Sequence, residues 1–141
     1  MTFRFLSPTH AVSPQIAPDE LPAIAEAGFS VVICNRPDAE VPAELQSGAL
    51  RAAVEGAGLE FVDNPVDGRA MSMQNVEIQK DQIGQDGRKT LAYCASGTRS
   101  AVMWALASAG SLPTDEILAA AAAAGYRLDG LRQQIEVLAQ D

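Results

Sequence analysis

Thr90-Leu91-Ala92-Tyr93-Cys94 is an apolar run of strand length, and Ala101-Val102-Met103-Trp104-Ala105-Leu106-Ala107 is apolar on every side of a helix. Only Ala95-Ser96-Gly97-Thr98-Arg99-Ser100 lies between them. The chain must therefore pass from a strand, through small residues, into a central helix that other elements cover.

The flanking sequence repeats this alternation. Pro18-Asp19-Glu20 starts a predicted helix over residues 18–27 with acids in its first turn, and Gly28 closes it. Phe29-Ser30-Val31-Val32-Ile33-Cys34 reads as a buried strand that stops at Asn35-Arg36-Pro37-Asp38. A helix over 45–57 ends at Gly58, and Leu59-Glu60-Phe61-Val62 is the next strand, ending at Asp63-Asn64-Pro65. Ser72 opens a helix over 72–83. Asp86-Gly87 then turns the chain into the strand that holds Cys94. Beyond Gly110, Pro113-Thr114-Asp115-Glu116 starts an alanine-rich helix ended by Gly125, and residues 128–138 form a last one. Such alternation predicts an α/β fold with a mainly parallel central sheet and helices on both faces, folded as one domain over residues 1–141. In sheets of this kind ligands bind at the carboxyl edge, where three loops are expected: 35–38, 63–69 and 94–100.

Composition narrows the partners. With 48% hydrophobic residues and a formal net charge of −8, the chain has material for a core but no overall field that draws nucleic acid or an anionic membrane. A small anion needs a local positive site. No apolar run approaches the roughly 20 residues of a membrane span, and the start MTFRFLSPTH has no signal-type pattern, so a cytoplasmic protein is expected. Cys34 and Cys94 are expected to be free thiols, and with His10 as the single histidine neither a metal nor another cofactor is expected.

The loop after Cys94 has the means to bind an anion. Ala95, Ser96, Gly97 and Thr98 carry small side chains, so their amides can turn inward around the sulfur. A helix expected to begin near Ser100 adds unpaired amides and the positive end of its dipole. Such surroundings favour the nucleophilic thiolate. Arg99 offers a planar fork to two oxygens of a tetrahedral anion, and Ser100 can donate to the thiolate or cap the helix.

Cys94-Ala95-Ser96-Gly97-Thr98-Arg99-Ser100 resembles the active loop of rhodanese sulfurtransferases and of cysteine-dependent tyrosine phosphatases. Together with Val12-Ser13-Pro14-Gln15-Ile16, Asn35-Arg36-Pro37-Asp38 and Ala124-Gly125-Tyr126-Arg127-Leu128, it is similar to the bacterial beta-lactamase-hydrolase-like, phosphatase-like family. That resemblance implies a dual-specificity-phosphatase-like fold. It further implies Arg36 and Asp38 at the border of the pocket, and a persulfide dioxygenase-type partner that some members carry as a fused domain.

Four residues separate Cys94 from Arg99, the rhodanese spacing, where tyrosine phosphatases have five. Tyr93 also stands where phosphatases carry a histidine. Sulfur transfer through a Cys94 persulfide, from thiosulfate or a low-molecular-weight persulfide to a thiol, is accordingly the first expectation. The alternative is a phosphatase that forms a phosphocysteine at Cys94, with Asp67 as general acid; an ordinary Asp-Gly turn is the plainer role for Asp67. A non-catalytic anion- or persulfide-binding domain is the third. Arg36 and Asp38 can equally pair with each other or cap the next helix, Arg69 can add positive potential, and Cys34 is expected to be a small core residue rather than a resolving thiol.

Overall fold

The computed structural model describes residues 3–68, 71–83 and 87–140. Arg69 and Asp86 lie outside the described residues. Five strands form one sheet in the order β1-β2-β5-β3-β4, namely β1 Arg4–Ser7, β2 His10–Ser13, β3 Phe29–Cys34, β4 Glu60–Asp63 and β5 Lys89–Tyr93. The pairs β2–β5, β5–β3 and β3–β4 are parallel, and the edge strand β1 is antiparallel to β2. The mainly parallel sheet expected from the sequence is present, with β5 at its centre.

Helices cover both faces. On one side α1 (Leu21–Glu26) and α2 (Ser47–Gly56) bury Leu21, Ile24, Leu50 and Val54 against Val32, Leu91 and Tyr93. On the other, α3 (Met73–Asp81), α4 (Thr98–Ala107), α5 (Thr114–Ala123) and α6 (Arg132–Ala139) pack over Val12, Val31, Ile33 and Ala92. Because α3, α5 and α6 all touch α4, its residues Met103, Trp104 and Ala105 are sealed at 0–1% exposure. That enclosure explains a helix with no polar face. No helix among the described residues is long and apolar enough to cross a membrane.

Four short elements depart from the expectation. Residues 4–13 form the first two strands, which the sequence did not announce: each is four residues long, too short for a period-2 signature. The segment expected as a helix from Pro18 begins as a 3-10 turn, Pro18–Glu20, before α1, and the last helix likewise follows a 3-10 turn at Asp129–Leu131.

Candidate active site

The carboxyl ends of four adjacent parallel strands converge on the Cys94 loop. Cys94 N–H donates to the Ser13 carbonyl at 3.4 Å, and Gln15 N–H to that of Ala95 at 3.4 Å, which ties the loop to the end of β2. On the other flank Asn35 N–H donates to the Tyr93 carbonyl at 2.8 Å, and Asn64 N–H to the Cys34 carbonyl at 2.9 Å. The three loops predicted for this edge therefore meet, joined by a fourth from β2 that carries Gln15.

Cys94 lies at the floor of the site with 1% of its surface exposed, while Ala95, Ser96 and Thr98 form the exposed rim. The Gly97 N–H donates to Cys94 Sγ at 3.1 Å. Gly97 has φ 95°, a left-handed conformation that turns this amide toward the sulfur, and α4 starts immediately after it. The helix thus begins two residues nearer to Cys94 than Ser100, and its dipole acts at closer range. Of the other small residues, Thr98 directs its N–H to Ser96 Oγ at 3.4 Å instead of the sulfur.

Arg99 is not a free fork. Its Nη1 and Nη2 donate to Glu40 Oε2 and Oε1 at 2.8 and 2.7 Å, and Nη1 also donates to the Val66 carbonyl at 3.0 Å. Hydrogen bonding to Glu40 holds the guanidinium in its charged form, and the Cys94 sulfur adds to that effect. Glu40 in turn keeps its carboxyl below the usual range, through Arg99 first and then Arg36, whose Nε lies 3.2 Å from Oε1. Arg36 Nη1 also donates to Gln15 Oε1 at 3.2 Å. Sequence reading passed over Glu40 because an acid in a polar loop carries no local sign of its partner.

The remaining candidates separate. Arg36 borders the site, as the family resemblance implies. Asp38 caps α2, as its carboxylate accepts from Ser47 N–H at 2.7 Å and Ser47 Oγ at 3.0 Å. Ser100 neither reaches the sulfur nor caps the helix, because Ser100 Oγ donates to Asn35 Oδ1 at 2.8 Å. Asp67 is exposed and follows Val66, whose carbonyl Arg99 holds, so this segment stands beside the cysteine loop. Cys34, 2% exposed with its thiol pushed up by burial, is the core residue expected. Tyr93 points with Cys34 into the α1/α2 core. Tyr126, from the family-like stretch 124–128, donates its hydroxyl to the Ser96 carbonyl at 3.3 Å and roofs Gly97.

The Gly97 amide and Arg99, from the first turn of α4, thus flank the Cys94 sulfur at a strand-to-helix turn. The chain belongs to the beta-lactamase hydrolase-like protein, phosphatase-like domain family, which matches residues 2–111. A beta-lactamase hydrolase-like protein of Xylella fastidiosa (strain Temecula1 / ATCC 700964) is 32% identical over 120 residues, or 84% of this chain and 28% of that protein. The chain thus spans less than a third of the length of the curated relatives it matches. Among solved structures, a candidate phosphatase of Neisseria meningitidis Z2491 is 33% identical with a TM-score of 0.81, covering 98% of this chain and 99% of that one. The active form of Tk-PTP has a TM-score of 0.75 at 24% identity, covering 98% and 96% of the two chains, a likeness of fold. The domain is phosphatase-like in family and fold, which favours the alternative read from the sequence; sulfur transfer, the first expectation, gains no support from these relatives.

Proposed function

We propose that the domain hydrolyses phosphate monoesters through a phosphocysteine. The observation that carries this reading is the Gly97 amide on Cys94 Sγ at 3.1 Å, at the start of a helix whose first turn supplies Arg99. In the first step Cys94 Sγ bonds to phosphorus as the ester P–O bond breaks, and the leaving oxygen takes a proton from Asp67. Loop amides, the α4 N-terminus and Arg99 stabilise charge on the transferred oxygens. In the second step water attacks phosphorus and gives its proton to the Asp67 carboxylate. The S–P bond then breaks, returning the thiolate and releasing inorganic phosphate.

The four-residue spacing between Cys94 and Arg99 favours a second reading, transfer of a sulfane sulfur, because a shorter ring of amides leaves less room for a phosphoryl group. One pair of assays separates the two. Wild type is expected to release phosphate from p-nitrophenyl phosphate and phenyl phosphate, Cys94→Ser to release none from either, and Asp67→Asn to be slowed about 100-fold on phenyl phosphate, within the usual range for loss of a general acid. Incubation with thiosulfate followed by mass spectrometry reads the other chemistry: a gain of one sulfur on Cys94 without phosphate release would replace the phosphatase reading with sulfur transfer. The length of the relatives supports a further proposal, that the domain works beside a second catalytic unit, in line with the persulfide dioxygenase-type partner implied by the family resemblance.

A further inference from the structure

Asn35 directly follows β3 with its side chain fully buried, and every hydrogen-bonding valence of its carboxamide is used. Oδ1 accepts from Ser100 Oγ at 2.8 Å and from Gln79 Nε2 at 3.3 Å. Nδ2 donates to the Asn64 carbonyl at 3.0 Å and to Gln79 Oε1 at 3.0 Å. Its backbone is equally committed: the N–H donates to the Tyr93 carbonyl at 2.8 Å, and the carbonyl accepts from Val66 N–H at 3.0 Å. One residue therefore touches the strand before Cys94, the helix after the Cys94 loop, and the segment that leads into Asp67.

The contacts continue on the Asp67 side. Asn64 Nδ2 donates to Gln79 Oε1 at 2.9 Å and to the Asn75 carbonyl at 2.9 Å, while Asn75 Nδ2 donates to Asn64 Oδ1 at 2.8 Å and the Pro65 carbonyl at 3.0 Å. Asn35, Asn64, Gln79 and Ser100 are all 0% exposed. Buried amides bond along fixed directions, and breaking one contact leaves its partner unsatisfied. Such a network resists sliding of the surfaces it joins, which an apolar contact does not. The surfaces joined here carry the nucleophile and the general acid of the proposed reaction.

We propose that Asn35 is a positioning residue, holding the Asp67 segment at a fixed separation from the Cys94 loop through Ser100 on one side and Asn64 and Gln79 on the other. The inference rests on the phosphatase reading and adds the element that sets acid against nucleophile. Its signature is dependence on the leaving group. A p-nitrophenolate departs with little help, whereas a phenolate needs its proton in the transition state, so a displaced acid slows phenyl phosphate selectively.

Steady-state kinetics on both esters test this. Asn35→Ser and Gln79→Leu are each expected to lower kcat/KM for phenyl phosphate about tenfold more than kcat/KM for p-nitrophenyl phosphate, and Asn35→Ser to add nothing on phenyl phosphate in an Asp67→Asn background. Two variants are used because Gln79 lies on the far side of the network from Cys94. Equal losses on both esters, or losses that multiply with Asp67→Asn, would overturn the positioning role while leaving the phosphatase reading intact. Absence of hydrolysis by wild type would overturn the reading, and this role in catalysis with it. Amide exchange supplies a readout free of turnover: faster exchange at Val66 in Asn35→Ser, with β5 unchanged, supports the clamp, and unchanged exchange at Val66 counts against it.

Discussion

Gly97 combines a φ of 95° with a position where a Cβ would collide with the Tyr126 hydroxyl. Gly97→Ala is therefore expected to lower stability by about 1–3 kcal/mol and to turn the amide away from Cys94, read as a lower urea midpoint together with lost phosphate release. Glu40 makes the opposite kind of demand, one of charge instead of shape. In Glu40→Gln the fork of Arg99 loses its bidentate carboxylate, and kcat/KM should fall about tenfold with the fold intact. Because the Glu40 carboxyl is held low, by Arg99 first, its contribution is complete above the ordinary value of 4.5 and is lost as pH falls below it. Both residues act on the same loop. Gly97 was legible because a glycine among small residues after a cysteine has few other uses there, whereas Glu40, 59 positions before Arg99, left no trace in the local pattern.

At the scale of elements, the start of α2 depends on a residue that lies well outside it. Gln46, which precedes the helix, makes no side-chain cap, and Asp38 reaches across from the 3-10 turn Asp38–Glu40 to the Ser47 amide and hydroxyl. Asp38→Ala is expected to lower stability by about 1 kcal/mol, the usual worth of such a cap, seen as a fall in melting temperature. The same turn presents Glu40 to Arg99, so α2 and the active site share one support. The strands and helices that hold most of the core were readable because their apolar runs are long. β1 and β2 were not, being stabilised by pairing with each other and with β5 more than by any pattern of their own.

At the scale of the whole molecule, His10 links folding to acidity. Its ring is fully buried on β2 with no hydrogen-bond partner at either nitrogen among the described residues, and burial lowers its pKa from 6.5 to about 4. The folded protein keeps the ring neutral while the unfolded chain takes up a proton below pH 6.5, so stability falls as pH drops from 6.5 to about 4 and this term then levels off. The loss amounts to about 3 kcal/mol. Urea midpoints measured across that window should show the slope in wild type, and His10→Leu should lack this part of it.

The residues of the chain determine by themselves where a strand must run into a covered helix, and that a cysteine, a glycine and an arginine stand at the junction. Those features are local, set by steric freedom, apolar length and the dipole of a single helix. Which groups meet that junction was decided in three dimensions: Glu40 on Arg99, Asn35 on Ser100 and Tyr126 over Gly97, partners drawn from 59, 65 and 30 or so positions away. Charge pairs and buried hydrogen bonds depend on distance and direction in space, and separation along the chain carries neither.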